Sequence, residues 1–335
     1  MDSINYLTNM QKSHIPARNF QKSKDIDLKN LKNENTLLNR ELELIKKDIL
    51  LCSDLRTRSL NKGINNGQIL QAIKHAASAI WDILKKSIDD DEDKDDVTCD
   101  LLGVLLDIHS CYTAAHSDNV TDLTMDLALE LGMDSQEQLM QLQEATCFRD
   151  IGQSGPDDFS SFSIENDMEA EQYTEQITHI LYKGSHLHDI GKLRIPSSIL
   201  NKTERLTDEE FAEIKLHPLI GVEIVTLFPH LHRAIPGIRG HHERWNGTGY
   251  PDKKKGDDIP LEARIICICD SFEAMTSARP YHKPMTYDLA IRELINCAGT
   301  QFDPCLIEPF IYIIGKKYNI DTKVYDSEIE HIEIL

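Results

Sequence analysis

The chain has 335 residues, which suits one large domain with an N-terminal extension or two modest domains. Hydrophobic residues make up 40%, enough for a sizeable core, and the net charge of −20 disfavours binding to nucleic acid polymers or anionic membranes. The sequence contains no apolar run of about 18 residues and no apolar signal-peptide core, and its eight cysteines form no CxxC pair, so we expect a cytoplasmic protein with reduced thiols.

Apolar residues recur mainly at spacings of three and four, which predicts an all-α protein. Residues 1–96 are predicted to form a smaller N-terminal helical, regulatory region. Its heptad-like seam begins at Leu28 and carries Asn35. The seam suits either a homodimer formed through this helix or a helix packed on its own domain, and both readings stay open. The acidic run at residues 89–96 lacks the glycine and terminal glutamate of a calcium loop, so we interpret it as a linker.

Residues 97–320 are predicted to form one helical domain with an insertion at about residues 147–172. Gly132 is expected to end a helix, and two amphipathic helices are expected between Tyr287 and Tyr318. The tail, residues 321–335, is polar with alternating apolar residues. We expect it to add a short strand or to lie loose.

Two segments about fifty residues apart carry candidate metal ligands. HLHDIGK contains His188 and Asp189, and HHERWNGTGYP begins at His241. Histidine and carboxylate together suit borderline divalent metals. Adjacent side chains point about 100° apart on a helix, so His188 and Asp189 could flank one ion, or Asp189 could bridge two. The other candidates are His116, His217, His242 and Asp270.

These motifs resemble the HD-GYP family, the bacterial branch of the HD metallophosphohydrolases that cleaves cyclic dinucleotides. The resemblance covers about residues 105–312 and implies an HD-type helical bundle. It rests on HSDNV, HDIGKLRIP, ILNKTERLTDEE, HPLIG, HHERWNGTGYP, IPLEARIICICDSFEAMTSARPY and GTQFDP, in that order.

The resemblance implies two divalent metal ions, iron or manganese, with a bridging hydroxide that attacks a phosphodiester. The implied ligands of the first metal are His116, His188, Asp189 and Asp270. Asp189 would bridge to a second metal held by His217, His241 and His242.

The resemblance also implies residues that contact the substrate. Lys192 would orient the hydroxide or the phosphate, and Arg279 would donate to a phosphate oxygen. The loop that lines the substrate groove would consist of Gly247, Gly249, Tyr250 and Pro251. Glu243 is either a general base or, as we favour, an acceptor that orients a histidine ligand.

The chain departs from the family pattern at three places. Tyr112 replaces a glutamate that contributes to a third metal in some members, so we expect two metals. Asn246 replaces the usual aspartate of the loop, and we expect a modest effect because asparagine keeps the turn chemistry. His116 and His188 lie 72 residues apart, roughly double the expected separation.

Within that gap, residues 147–156 (CFRDIGQSGP) look like a degraded copy of HDIGK, with Arg149 in place of the histidine and followed by Asp150. The similarity is either accidental or the trace of a partial duplication. An insertion that displaced the first helix would keep His116 from the site.

The sequence therefore predicts a metal-dependent phosphodiesterase that hydrolyses cyclic di-GMP to linear pGpG. One alternative is a weakly active or inactive signalling protein that binds cyclic dinucleotides. Another is a phosphodiesterase for a different cyclic dinucleotide.

Overall fold

The computed structural model describes residues 113–133, 167–278 and 283–332, together with Thr98, Cys99, Leu102, Gly103 and Leu106. All of these residues lie in one compact unit, Lys46–Leu335. Six features predicted from the sequence fall outside them: the N-terminal seam, the acidic linker, the boundary at residues 96–97, Tyr112, the Arg149–Asp150 segment and Arg279.

Every regular element in the described ranges is a helix, as the apolar spacing predicted. The α-helices are α1 Thr113–Glu130, α2 Asp167–Leu187, α3 Ser197–Leu200, α4 Asp208–Ile214, α5 His217–Val225, α6 Ile235–Gly240, α7 Leu261–Thr276, α8 Tyr287–Asn296, α9 Ile307–Tyr318 and α10 Asp326–Ile329. Short 3-10 helices span Ile190–Arg194, Pro229–Ala234, Gly256–Asp258, Pro304–Leu306 and Thr322–Tyr325.

Helix α7 lies at the centre of the core. Its apolar run is buried around most of its circumference, with Ile265, Ile266 and Ile268 fully buried. A helix that is apolar on all sides is stable only when other elements surround it. Helices α1, α2, α6 and α8 pack against α7, and α9 packs against α1. Asp270 lies on α7 and is thus carried by the most enclosed helix of this core.

Several helix ends follow local sequence signals. Helix α1 ends at Glu130, and Gly132 follows it with a φ of 74°, as predicted for a terminating glycine. Helix α4 begins with a capping box, in which the Thr207 hydroxyl accepts from the Glu210 amide and the Glu210 carboxylate accepts from the Thr207 amide. The predicted pair of C-terminal amphipathic helices corresponds to α8 and α9. Helix α2 begins at Asp167, so residues 167–172 of the predicted insertion belong to a helix.

The expectation of a strand or a loose tail after residue 320 is wrong. The tail forms the 3-10 helix Thr322–Tyr325 and α10. Tyr325 is 1% exposed, and its hydroxyl donates to Asp288 at 2.8 Å. Tyr325, Ile329 and Ile332 pack against the core and are spaced by four and three residues. This helical spacing, and not the alternation of apolar and polar residues, therefore matches the structure of the tail.

Among the helices that the structure describes, none combines the length and apolarity needed to cross a bilayer. Cys267 and Cys269 are buried on α7 and unpaired, as expected for small core residues.

Candidate metal centre

The seven predicted metal ligands meet at one place in the fold. They come from α1, from the junction after α2, from the first residue of α5, from the turn after α6, and from α7. In chain order they are His116, His188, Asp189, His217, His241, His242 and Asp270. Residues far apart in the sequence are thus collected by the packing of helices around α7.

One group of candidate ligands contains His116, His188 and Asp189, whose ligand atoms lie within 4.8 Å of one another. His116 Nε2 lies 3.6 Å from Asp189 Oδ2 and 3.2 Å from Asp270 Oδ1. His188 Nε2 lies 3.4 Å from the same Asp189 oxygen. The 72-residue gap therefore does not keep His116 away from the site.

A second group contains His217, His241 and His242, again within 4.8 Å. His217 Nε2 lies 3.1 Å from His241 Nε2 and 3.3 Å from Asp189 Oδ1. Asp189 thus directs Oδ2 toward the first group and Oδ1 toward the second. A carboxylate with one oxygen facing each group has the arrangement needed to bridge two metal ions.

Three of the histidines are held in the same way by backbone carbonyls. In each, Nδ1 lies within hydrogen-bond distance of the carbonyl three residues earlier in the chain. The pairs are His188 with Ser185 (2.6 Å), His217 with Ile214 (2.8 Å) and His241 with Ile238 (2.8 Å). Since a carbonyl can only accept, each Nδ1 carries the proton and each Nε2 keeps its lone pair for a metal. Among the residues that the structure describes, the buried Nε2 of His188 has no hydrogen-bond partner, as expected of a nitrogen that would bind a metal ion.

Glu273 is a site residue that the sequence analysis missed. His116 Nδ1 donates to Glu273 Oε2, so that Nε2 faces Asp189 and Asp270. Glu273 is itself held by Ser277 Oγ, which donates to Oε1 at 2.7 Å. Its position three residues after Asp270 on a helix is the signal that could have identified it, because residues at that spacing share a face.

The protonation states suit a metal centre. Burial lowers the pKa of His217 to about 3, and burial together with the neighbouring His217 lowers the pKa of His242 to about 3. Burial opposes the charge of Asp189, but the nearby Lys192 ammonium holds the pKa of this carboxyl well below its usual range. Neutral imidazoles and ionised carboxylates are the forms that bind divalent metals.

His116 differs from the other histidines of the centre. Burial alone would lower its pKa, but hydrogen bonds to Asp270 and Glu273 and the charges of Asp270 and Asp189 raise it to about 9. In the absence of metal this imidazole is therefore protonated on both nitrogens at neutral pH, and metal binding must displace the proton on Nε2.

Gly191 of the HDIGK motif permits the close approach of α5. A Cβ at this position would lie 1.9 Å from the carbonyl oxygen of His217 and 2.6 Å from the amide nitrogen of Gly221. Any side chain here would push His217 away from Asp189. The glycine thus has a packing role, whereas Lys192, one residue later, donates to Asp189 Oδ2.

The predicted groove loop, Gly247 to Pro251, lies against the second group of histidines. The Tyr250 ring stacks on His242, with centroids 4.8 Å apart and planes 28° apart. The Tyr250 amide donates to the His242 carbonyl at 3.2 Å. A Cβ at Gly249 would lie 2.4 Å from the amide nitrogen of Arg244, so only glycine fits where the loop passes the backbone of Arg244. The Tyr250–Pro251 peptide bond is cis.

Glu243 is 2% exposed and holds the far side of this loop. Its Oε1 accepts from the amides of Asp252 at 2.6 Å and Lys253 at 3.0 Å. Within the described part of the chain, the Glu243 carboxylate accepts from backbone amides just after the loop and not from a histidine ring. The favoured interpretation, an acceptor that orients a histidine ligand, therefore receives no support from these contacts. The contacts therefore support a role in positioning the loop.

The loop is also tied to a later segment of the chain. The Trp245 amide donates to the Gln301 carbonyl at 3.1 Å, and the Asn246 amide donates to the Thr300 carbonyl at 2.9 Å. Asn246 Oδ1 accepts from the Thr248 amide at 3.0 Å, which is the turn bond that aspartate would also make. These bonds give the GTQFDP motif a structural role that the sequence analysis had not assigned.

Comparison with known proteins identifies the domain. Residues 167–306 match the family model of the HD domain. A cyclic di-GMP phosphodiesterase of Vibrio cholerae is 37% identical over 167 residues, which is 47% of this chain and 34% of the relative. The cyclic di-GMP phosphodiesterase response regulator RpfG of Xanthomonas campestris is 37% identical over 179 residues, 52% of this chain and 47% of the relative.

A 3'3'-cGAMP-specific phosphodiesterase 2 of Vibrio cholerae is 37% identical over 148 residues, 41% of this chain and 28% of the relative. The chain spans less than half the length of each of these three relatives.

The helical core and the paired groups of histidine and carboxylate agree with the match of residues 167–306 to the HD domain. Within that class, the resemblance to the HD-GYP family predicted from the motifs is confirmed.

Proposed function

We propose that this protein is a metal-dependent phosphodiesterase that hydrolyses cyclic di-GMP to linear pGpG. The observation that carries the proposal is the placement of Asp189 between two groups of histidines, all of them buried except half-buried His242, with one oxygen facing each group. The 37% identity to cyclic di-GMP phosphodiesterases from two organisms supports the choice of substrate.

The donor set fits two divalent ions, and we propose iron or manganese. The first group with Asp270 would hold one ion, and the second group with Asp189 would hold the other. The partnerless Nε2 of His188 and the neutral state of His217 and His242 support this assignment. When bound, two such ions supply positive charge to the phosphodiester and lower the pKa of water.

The chain's own residues would orient the substrate and shape its surroundings. Lys192 contacts Asp189 while its side chain stays 24% exposed, so the ammonium can also reach a phosphate oxygen at the mouth of the site. Tyr250 and the loop from Gly247 to Pro251 would form one wall of the groove, and Arg279 would add a fork donor. Fully buried His188 and His241 would keep bulk water from the floor of the site.

A different cyclic dinucleotide is the second candidate substrate. The relative that is specific for 3'3'-cGAMP has the same percentage identity as the cyclic di-GMP relatives, so identity alone does not distinguish the bases. The alternative of a protein that only binds cyclic dinucleotides is less well supported, because His116 reaches Asp189 and Asp270. Dimerisation through the seam at Leu28 and a cytoplasmic location stay predictions.

The test is turnover by purified protein loaded with iron or manganese. We expect hydrolysis of cyclic di-GMP, with pGpG as the product followed by chromatography, and cGAMP assayed in parallel. The variant with His188→Ala and Asp189→Ala should lose both metal and activity, because it removes one ligand and the shared carboxylate. Wild-type protein that contains two ions per chain and cleaves neither dinucleotide would falsify the proposal.

A further inference from the structure

Lys215 lies at the rim of the metal centre and has no role in the proposed chemistry so far. It follows the last residue of α4 and precedes His217 by two residues. Its Nζ lies 4.6 Å from the centroid of the Phe211 ring, one helical turn earlier, and 5.6 Å from the centroid of the Tyr250 ring. The ammonium therefore connects α4 to the groove loop.

The neighbourhood of Tyr250 places this charge close to the second group of histidines. Tyr250 stacks on His242, and the His242 ring contacts His217 and His241 at centroid distances of 4.9 and 4.2 Å. One aromatic ring thus separates the Lys215 ammonium from a candidate metal ligand. A molecule bound over the metal centre and along Tyr250 would come within reach of Lys215.

No carboxylate among the described residues pairs with Lys215. In the described ranges its side-chain contacts are the two rings, whereas Lys192 pairs with Asp189 and Lys202 pairs with Glu210. Aromatic faces attract a cation weakly and leave its N–H donors free for an anion. They also restrict the lysine side chain, which reduces the entropy lost when it binds a ligand.

The substrate chemistry supplies an anion for this position. A cyclic dinucleotide contains two phosphodiesters, and the metal centre can take only the one that is cleaved. The other phosphate must be accommodated by a chain whose net charge is −20, so a local cation is needed to hold it. Lys192 contacts Asp189, so the phosphate that it can reach is the one at the metal centre.

We propose that Lys215, held between Phe211 and Tyr250, binds the phosphate of the cyclic dinucleotide that is not cleaved. This inference rests on the proposed function, since it concerns the same substrate and the same site. Lys215 determines affinity for a ligand with two phosphates and takes no part in bond cleavage.

The experiment compares Lys215→Gln and Lys215→Arg with the wild type on two substrates. Cyclic di-GMP has two phosphates, and bis(p-nitrophenyl) phosphate is a diester with only one. We expect Lys215→Gln to raise KM for cyclic di-GMP about tenfold or more, the size of a lost charge-assisted contact, with kcat within about twofold. Lys215→Arg should keep most of the affinity, and the kinetics with bis(p-nitrophenyl) phosphate should change by less than about twofold.

Lys316→Gln is the matched control. Lys316 also lies over an aromatic ring four residues earlier, with Nζ 4.4 Å from the Tyr312 centroid. It approaches Glu130 at the end of α1, about 21 Å along that helix from His116. This variant should behave as wild type on both substrates.

An unchanged KM for cyclic di-GMP in Lys215→Gln would overturn the inference. Equal losses of activity on both substrates would also overturn it, because they would indicate damage at nearby His217, which a lowered metal content of the variant would reveal. If wild-type protein binds cyclic di-GMP without cleaving it, the proposed function fails, and calorimetric Kd values for the same variants then decide the role of Lys215. If the wild type does not bind cyclic di-GMP at all, both proposals are wrong.

Discussion

Three carboxylates surround the imidazole of His116, and this arrangement governs the charge of the metal-free site. Nε2 faces Asp189 and Asp270, while Nδ1 donates to Glu273. Burial disfavours the charged imidazole, but Asp270 and Glu273 outweigh it and raise the pKa to about 9. A proton on His116 therefore compensates part of the negative charge that a metal ion would otherwise balance.

The stability that His116 contributes to the metal-free protein should depend on pH. Because its folded pKa of about 9 exceeds the ordinary value of 6.5, the contribution is complete below about pH 6.5 and is lost as the pH rises through 9. Urea unfolding of wild type and His116→Gln across this range should show a free-energy difference that shrinks with rising pH. A difference that stays constant or grows would contradict the assignment. Metal-loaded protein is the control, since the ion replaces the proton.

Individual site residues were predictable to different degrees. The seven metal ligands carry recognisable chemistry in the sequence, and the structure brings them together. Glu273 escaped notice because a glutamate on a helix is ordinary until its partner, His116, is known to lie opposite. The contacts of Glu243 were equally hidden, since its backbone partners at Asp252 and Lys253 carry no sequence signal.

At the level of elements, the junction between the 3-10 helix Ile190–Arg194 and α5 holds the two groups of ligands together. Gly191 makes this contact, and no side chain fits there. We expect Gly191→Ala to destabilise the protein by roughly 1–3 kcal/mol or more, because the helices must separate to admit a Cβ. The same separation should move His217 from Asp189 and lower the metal content.

Urea unfolding and metal analysis check this expectation, with Gly184→Ala as the control. Gly184 lies within α2, and a Cβ there would meet Ile266 Cδ1 at an ordinary 3.4 Å. Alanine is also the better helix former, so this control should change stability by less than about 1 kcal/mol. A Gly191→Ala protein with wild-type stability and two bound ions would show that the junction is not tight.

The sequence predicted helices well where local signals were strong. Amphipathic spacing identified α8 and α9, and Gly132 identified the end of α1. The prediction for the tail was wrong because its apolar residues are few and fit both an alternating and a helical spacing. Burial of Tyr325 against the core, a long-range contact, favours the helical repeat there.

At the scale of the molecule, metal ions bound at the candidate centre would act as cross-links among the described helices. Its candidate ligands lie on or beside α1, α2, α5, α6 and α7. Ions that bind only the folded chain stabilise it by mass action. Removal of metal with a chelator should therefore lower the Tm by roughly 5–10 °C for each ion lost, when free metal had been near 100 times its Kd.

Calorimetry with and without chelator measures this shift, and returning iron or manganese should reverse it. The variant with His188→Ala and Asp189→Ala should show almost no shift, because it lacks the shared carboxylate. An unchanged wild-type Tm in chelator, in protein shown to have lost its ions, would mean that bound metal does not stabilise the helical core.

Long-range assembly was the part of the fold that sequence spacing could not predict. The 72 residues between His116 and His188 suggested that the first helix could be displaced. Packing of α1 on α2 and α7 brings His116 to the site regardless of the length of the intervening chain. Separation along the chain constrains the distance between two residues only weakly once both lie on helices of one core.

The bonds from Trp245 and Asn246 to the carbonyls of Gln301 and Thr300 have a consequence for how such a protein can diverge. In both bonds the groove loop is attached to this turn through main-chain carbonyls, and neither turn residue is a candidate metal ligand. Changes in that turn would tilt the wall while every ligand stays intact. Natural variation in this turn would therefore change the shape of the groove while the candidate metal ligands stay in place. Mutagenesis aimed at altered substrate selectivity should begin at Thr300 and Gln301.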